Sequence, residues 1–511
     1  MRLSTRQMLS RVVGLALATA GCSAGAAPTS APTDPSVPTQ PATVSSLTVS
    51  PVRGQVVVGK TLQLAVAAKD SRGVSVSDAP VTWSVDKPSL ATVSQTGMVT
   101  GVAQGSVTVR VTSGSVSGTS TVDVTPAGTP APETFTFCTD AGAPCDFIGL
   151  RDVRLVGPSG AYVQQTAYHT IPCAPYGFGG RNPAPNQPLH CEYGPLKTTT
   201  LTNPMPGMAG LPAQVIVPLG SPGAAAAQSE PTNETPEFTD GSGSFRTTCS
   251  LARFAFDDPV VFPGQPGASH LHAFFGNTAV TASTTAQSIL TSGNSTCRGG
   301  TLNRTAYWVP AVFDSRTGEV QAPDEGVFYY KTGYNIDPKV VKPFPEGLRM
   351  IAGDKSATGV QDFVEWGCRD HYVENTGKIP TTCPVGDAVR LTVLFPQCWD
   401  GVHLDSPDHK SHMAFPIYRN PPQVSTCPAS HPVTLPQITE HFDYPVSASS
   451  APAFWRLTSD TYSTSIPGGL SAHADWMYGW SNTTFATIVT QCLNKAVDCG
   501  VGSIGNGTTL F

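Results

Sequence analysis

Glycine and proline recur along the whole chain, with 49 and 47 residues respectively among 511. Both residues interrupt helices and favour turns, so a helical bundle or a coiled coil is disfavoured as the main architecture. The runs between these turn residues are short and rich in valine, threonine and aromatic residues, which is typical of strands. We therefore expect an all-β chain, and 40% hydrophobic residues are enough to build its cores.

The charge of the chain limits its partners. Charged residues make up only 13% of the sequence, the net charge is −6, and no block of lysine and arginine occurs. This balance argues against a nucleic-acid partner. At roughly 100–200 residues per domain, the length allows three or four domains. We expect the protein to be a monomer.

The first residues resemble a bacterial export signal. Arg2, Arg6 and Arg11 precede or flank an apolar run at 12–18, which ends in small residues before Cys22. Residues 1–22 are thus predicted to be a signal peptide with a lipobox, so that a lipid on Cys22 would be the only contact with a membrane. Export to the cell surface, outer membrane or periplasm follows from this interpretation.

Ordinary cleavage near Ala26 and Ala27 is the alternative, and it would give a secreted protein. Residues 23–45 consist mostly of proline, threonine, serine and alanine, so we expect them to form an extended, disordered linker.

The next segment, 46–126, has short alternating strands separated by turns, which predicts a small antiparallel sandwich. Its motifs are VGKTL at 58–62, VTWSV at 81–85, ATVS at 91–94 and GMVTGVAQG at 97–105. With these motifs it resembles the bacterial immunoglobulin-like domain, group 2. The resemblance implies a spacer or adhesive module on a cell-surface protein, with a core built around Trp83.

The cysteine count of 13 is odd, and setting Cys22 aside for lipid leaves two even groups. Four lie in a small module at 134–194, where we expect pairs between Cys138 and Cys145 and between Cys173 and Cys191, because so short a module needs links. We expect eight more, from Cys249 to Cys499, to form four disulfides in an exported domain. Residues 195–243 are rich in proline, glycine and alanine and are predicted to be a second linker.

Chemistry is concentrated after residue 244, where nine of 11 histidines and six of seven tryptophans fall. The short apolar runs of this region predict a β-sandwich or jelly-roll-like domain at 244–511 with long loops and a C-terminal helix at 484–497. Three motifs group histidine with aspartate: SHLHAFFGN at 269–277, DSPDHKSHM at 405–413 and HADW at 473–476.

Imidazole and carboxylate groups together suit a divalent transition metal, and His270, His272, His412, His473 and Asp405 are the predicted ligands. The same motifs could work without a metal, with His270, His409, His412, Asp408 and Asp475 as the catalytic acid and base groups. Alternatively, they could form a buried polar network that only fixes the loops.

Several of these motifs also carry a family resemblance. The motifs concerned are FDDPVVFPGQPGASH at 256–270, LNRTAYWVP at 302–310, GLRMIAGD at 347–354, FPQCWDG at 395–401, LDSPDHKSHM at 404–413 and SHPV at 430–433. With these motifs the region is similar to the domain of unknown function nineteen-ninety-six, which is written DUF1996 below. The resemblance implies no activity. Similar fungal proteins often carry wall-binding modules, which points to glycans.

Two classes of function remain open. The density of histidine and aspartate favours an enzyme, a carbohydrate-active hydrolase or lyase acting on polysaccharide or cell-wall glycan, with a metal as one option. A non-catalytic glycan-binding or adhesive surface protein is the alternative. In either class we expect substrate to be bound by five residues of the C-terminal domain, namely Tyr307, Trp308, Trp399, Trp476 and Arg349.

Overall fold

The computed structural model of the protein describes residues 43–76, 79–125, 134–206, 210–239, 241–371, 377–420 and 423–511. The predicted signal peptide and most of the first linker lie outside these residues. The chain divides into two compact units, one ending at Pro132 and the other beginning at Glu133.

In its described residues, the first unit is built of β-strands alone, as the sequence predicts. They form a four-stranded sheet in the order β2-β9-β8-β5, a three-stranded sheet β3-β7-β6 and a pair β1-β4. The strands are β1 Ser46–Ser50, β2 Arg53–Val57, β3 Thr61–Gln63, β4 Ala65–Lys69, β5 Thr82–Val85, β6 Ala91–Val93, β7 Met98–Gly101, β8 Gly105–Ser113 and β9 Val116–Thr125.

The core of this unit follows from alternation along its strands. In β8, Val107, Val109 and Val111 are buried while the residues between them are more exposed. Trp83 of β5 lies opposite Val111 and is buried in the same cluster. Because successive side chains of a strand point to opposite faces, one valine-rich face packs inward without any cysteine. The predicted immunoglobulin-like sandwich is confirmed.

The second unit begins with the small module, whose four strands pair in the order β10-β13-β11-β12. Its disulfides join Cys138 to Cys145 and Cys173 to Cys191, which confirms both predicted pairs. The strands are β10 Thr136–Asp140, β11 Pro144–Val156, β12 Tyr162–Pro172 and β13 His190–Leu196, and a 3-10 turn spans Pro175–Phe178. His169 ties this module to the following domain, because its Nε2 lies 2.5 Å from the carbonyl oxygen of Asp324.

Residues 195–243 are predicted as a linker from their composition, but their described part contains four strands. β14 and β15 pair with each other, and β16 and β17 pair with strands near the C-terminus. Leu201, Val215 and Val217 pack against the main core of the unit, so a few apolar residues are sufficient to order this glycine- and proline-rich segment. The strands are β14 Thr198–Thr202, β15 Gln214–Pro218, β16 Ser229–Pro231 and β17 Glu237–Phe238.

The C-terminal domain is organised around one long antiparallel sheet. Its order is β23-β33-β20-β19-β18-β22-β31-β25-β24, and its ends approach each other where β23 lies near β25, so the sheet is nearly closed. These strands are β18 Ser244–Ala255, β19 His272–Gly276, β20 Ala306–Pro310, β22 Glu325–Lys331, β23 Arg349–Gly353, β24 Val364–Cys368, β25 Ala388–Leu394, β31 Gln437–Pro445 and β33 His473–Met477.

Shorter elements decorate this sheet. They are β21 Val312–Asp314, β26 Cys398–Trp399, β27 Met413–Ala414, β28 Ile417–Arg419, β29 Val424–Thr426, β30 Val433–Thr434, β32 Trp455–Leu457, β34 Val497–Val501, β35 Thr508–Leu510, helix α1 Ser288–Thr291 and 3-10 turns at Pro338–Val340 and Pro452–Phe454. Among the described residues, no helix is long and apolar enough to cross a membrane.

The predicted C-terminal helix is present but shorter. Helix α2 runs over Asn482–Ile488, and a wider π turn continues it to Leu493. Ser481 caps its start by accepting a hydrogen bond from the amide of Thr484. The chain reverses at Ala496, whose φ is 54°, and the disulfide between Cys492 and Cys499 holds this reversal.

The eight cysteines of the domain form four disulfides, as expected. Three join residues close in the sequence: Cys368 to Cys383, Cys398 to Cys427, and Cys492 to Cys499. The fourth, Cys249 to Cys297, links β18 to the loop after α1. Glycine- and proline-rich loops between short strands are thereby fixed to the sheet.

Both faces of the sheet are covered at β19, β20 and β33, where every residue is buried, and this decides where a site can form. Along β33, Ala474 and Trp476 enter the main core, whereas Met477 belongs to a second cluster with Phe274 and Trp308. Strand alternation therefore places His473 and Asp475 on the face of that second cluster.

Candidate metal centre

Three histidines from two distant parts of the chain meet on that second face. His272 is the first residue of β19, His270 precedes it by two positions, and His473 begins β33. The ring centroids are 4.2 Å apart for His270 and His272, 5.2 Å for His270 and His473, and 6.0 Å for His272 and His473. One ring nitrogen of each residue lies within 4.8 Å of the other two. We call these three residues the histidine triad.

Hydrogen bonds fix the orientation of two of these rings. The Nδ1 atom of His272 lies 3.0 Å from the carbonyl oxygen of Asp257, and that of His473 lies 2.9 Å from the carbonyl oxygen of Ser471. A carbonyl only accepts, so each Nδ1 carries the proton and each Nε2 presents a lone pair. The Nε2 atoms of His270 and His272 are buried and have no hydrogen-bond partner.

The triad is held in the neutral state that metal ligands require. Burial lowers the pKa of His272 to about 4, and burial followed by the charge of His272 lowers that of His473 to about 4. The pKa of His270 is also well below its ordinary value, because of burial first and its two histidine neighbours next. All three imidazoles are therefore neutral at neutral pH, with one ring nitrogen of each free to donate a lone pair.

A cavity of about 250 Å³ opens beside the triad. His270 and His473 line it together with Asp258 and Asp475. Asp475 has no exposed surface, and both of its carboxylate oxygens lack a hydrogen-bond partner. Burial raises its pKa well above the usual range, and the nearby Asp258 raises it further. Asp258 differs, because its Oδ1 accepts hydrogen bonds from the amides of Val260 and Val261.

The loop at 404–413 brings a fourth histidine to the cavity wall. His409 lines the cavity, and its Nδ1 lies 2.9 Å from Oδ1 of Asp405. Asp405 in turn lies 3.1 Å from Nε of Arg349, an ion-pair distance without the direction of a hydrogen bond. The carboxylate of Asp405 thus orients the imidazole of His409. The backbone of His409 is left-handed, with φ of 58°, which turns the loop at this residue.

Two other predicted residues of the same loop have local partners. The Nδ1 of His412 lies 2.9 Å from Oγ of Ser406 and its Nε2 lies 2.8 Å from the carbonyl oxygen of Arg349, so both ring nitrogens are occupied. Asp408 lines the cavity, but its Oδ1 accepts hydrogen bonds from the amide of Ser411 and from the hydroxyls of Ser406 and Ser411, and these bonds lower its pKa. The structure places His412 and Asp405 outside the triad.

The aromatic residues predicted to hold substrate lie elsewhere. Tyr307, Trp308 and Trp476 have no exposed surface, because the sheet is covered on both faces, so no ring face is left for a sugar. Trp399 donates from its Nε1 to the carbonyl oxygen of His403, at 2.6 Å, and does not line the cavity. Arg349 reaches the site only through Asp405.

Sequence reasoning missed four charged residues of this cavity. Lys355 and Lys410 line it, and so do Asp258 and Asp354. Asp258 and Lys410 belong to the motifs FDDP and DHKSH of the family resemblance, but neither residue was predicted to belong to the site. Lys355 follows the motif GLRMIAGD directly, and no pattern in the sequence singled it out.

Comparison with known families identifies two parts of the chain. Residues 258–480 match the family described as "Domain of unknown function (DUF1996)", and residues 43–124 match "Bacterial Ig-like domain (group 2)". Both resemblances given by the sequence are confirmed. A bacterial domain of this type together with six disulfides indicates an extracellular or surface protein. No curated protein matches the chain.

Some solved structures are similar to it at low sequence identity. Domains 4 and 5 of the S-layer protein SbsC are 18% identical over 34% of this chain and 96% of that chain, with a TM-score of 0.14. Domains 4–9 of the surface layer protein SbsC are 13% identical over 68% of this chain and 63% of that chain, with a TM-score of 0.17. TM-scores this low carry no argument about function.

Proposed function

With residues 258–480 belonging to the DUF1996 family, we propose that this domain holds a divalent transition metal on the histidine triad and acts with it on polysaccharide outside the cell. The observation that carries the proposal is the convergence of three ring nitrogens within 4.8 Å. Three protein ligands with one open position are the usual set of a catalytic zinc ion.

The geometry of the triad supports a metal more than a structural network. Nitrogens bound at about 2.0–2.1 Å to one tetrahedral zinc ion are about 3.4 Å apart, so the triad would contract by at most about 1.4 Å. A structural network would pair its buried nitrogens with donors, yet Nε2 of His270 and of His272 has no partner. The bonds from Nδ1 of His272 and His473 to carbonyl oxygens are the supporting contacts that metal-binding histidines usually make.

The surrounding residues supply acid and base groups. A metal at the triad would polarise a bound water or a substrate oxygen. His409, oriented by Asp405, is positioned at the cavity wall to accept or donate a proton. Asp475 adds a carboxyl group with no hydrogen-bond partner on the same wall. These groups suit a hydrolase or a lyase.

Polysaccharide is the substrate class we favour because the protein is extracellular and its cavity is small. A volume of about 250 Å³ lies just below the roughly 300–1,000 Å³ of typical ligand pockets, so it would take one sugar unit of a chain. A lipid on Cys22 would hold the protein at a membrane, and we propose that it works as a monomer.

A non-catalytic glycan-binding role is the second candidate, and one observation favours it. The small module exposes three aromatic rings, Phe137 by 61%, Tyr162 by 49% and Tyr176 by 76%. Exposed, rigid aromatic faces are a common means of binding ligands at low entropic cost. Glycan binding that survives loss of the triad but not replacement of these rings would favour this role.

Metal analysis of the purified full-length protein tests the primary proposal. We expect close to one equivalent of zinc, copper, manganese or iron, which is lost in His270→Asn and His473→Asn. His190→Asn, in the sheet of the small module, is the matched control and should keep the metal. A protein that contains no such metal and takes up none on addition would contradict the proposal and leave metal-free acid–base chemistry.

A further inference from the structure

Two lysines share the cavity with the triad. Lys355 and Lys410 both line it, and Nζ of Lys410 donates a hydrogen bond of 2.5 Å to the carbonyl oxygen of Gly353. Among the residues that the structure describes, the ion pairs include neither lysine. Two positive charges therefore face the cavity without a carboxylate partner.

The carboxylates of the cavity are already engaged by other donors. Asp354 accepts from the amide of Ser356, Asp408 from Ser406 and Ser411, and Asp258 from two amides. Asp475 has neither a hydrogen bond nor an ion pair in the described part of the chain. None of the four thus neutralises an ammonium group by direct contact.

The lysines lie at the same cavity as the triad. Lys355 and Lys410 line it together with His270 and His473. A cation at the triad would add to these two charges and make the cavity attract anions.

We infer that the substrate carries an acidic group, a carboxylate, sulfate or phosphate on a sugar, which Lys355 and Lys410 bind beside the triad. This inference rests on the proposed function and narrows its substrate to an acidic polysaccharide. Ammonium groups bind such oxygens as point charges, so other walls of the cavity recognise the sugar that carries the acidic group.

The test measures binding to the full-length protein by calorimetry. The probes are an oligogalacturonate, its carboxyl-reduced neutral counterpart and a sulfated oligosaccharide of equal length. We expect the acidic probes to bind at least tenfold more tightly than the neutral one, and Lys355→Met and Lys410→Met each to remove most of that preference. Lys342→Met, an exposed lysine that does not line the cavity, is the control. Lys410→Arg should retain binding because it keeps the charge.

The outcomes separate this inference from the proposed function. Binding of the sulfated but not the carboxylated probe keeps the anion site and identifies an ester as its ligand. Equal binding of neutral and acidic probes, no binding of any probe, or unchanged binding in both lysine variants would overturn the inference. Metal content is measured in parallel, so a protein with metal but no anion preference refutes only the lysine site. A protein without metal refutes the proposed function.

Discussion

Glu440 offers a quantitative test of the electrostatics inside the main sheet. It lies on β31 between Ile438 and Phe442, both fully buried, and its own side chain has no exposed surface. Neither carboxylate oxygen has a hydrogen-bond partner. Burial raises its pKa well above the ordinary value of 4.5, and the nearby Asp475 raises it further. The folded protein therefore keeps the proton on Glu440.

The consequence for stability has a definite sign and size. A group whose pKa is higher in the folded state than in the unfolded state contributes its full stability below the unfolded pKa. This stability is lost as the pH rises, because the unfolded chain then releases the proton. Each pH unit above the unfolded value of 4.5 lowers the free energy of unfolding by about 1.4 kcal/mol. At pH 7 the loss reaches about 3 kcal/mol, provided that the proton stays bound in the folded state.

Urea unfolding at pH 6 and pH 8, with disulfides intact, measures this loss of unfolding free energy. We expect Glu440→Gln to lose less stability than the wild type between the two pH values, by up to about 3 kcal/mol. Glu365→Gln is the matched control, since Glu365 is exposed on β24 of the same sheet. An identical pH dependence in the wild type and Glu440→Gln would show that Glu440 is ionised when folded, and the reasoning would fail.

Four further predictions concern other parts of the chain. Cys22→Ala should move the protein from the membrane fraction to the soluble fraction, because a lipid on Cys22 would be its only anchor. His409→Asn should lower activity by about 10²–10⁴-fold with little change in melting temperature, since asparagine tolerates the left-handed backbone there. Trp83→Ala should destabilise the first unit by about 3–5 kcal/mol in urea unfolding while metal content stays unchanged. Replacing Cys249 and Cys297 together by serine should cost about 2–5 kcal/mol, measured in the same way.

Much of the fold follows from local patterns in the sequence. Alternation of valine along residues 105–113 predicts which face of the first unit is buried, and the structure agrees. Spacing in HADW at 473–476 places His473 and Asp475 on one face of a strand for the same reason. Such patterns have a period set by the backbone, so they are visible without knowledge of the tertiary structure.

The rest of the site depends on strand order, which no local pattern states. β19 and β33 lie on either side of β20, and only this arrangement brings His270 and His272 to His473. The aromatic residues Tyr307, Trp308 and Trp476 were predicted to bind substrate, yet a second layer covers their strands. Hydrogen bonds within the loop at 404–413 also occupy His412, a residue that the sequence groups with the ligands.

The strands of the segment before residue 244 affect where this chain can be truncated and where a protease can cleave it. Ser229–Pro231 pairs with Thr508–Leu510, and Glu237–Phe238 pairs with Val497–Val501. A recombinant fragment that starts at residue 244 would leave both C-terminal strands with unpaired backbone groups along one side, and such edges promote aggregation. Soluble expression should therefore require a start upstream of Ser229, and limited proteolysis should spare residues 229–238 for as long as the C-terminus remains paired.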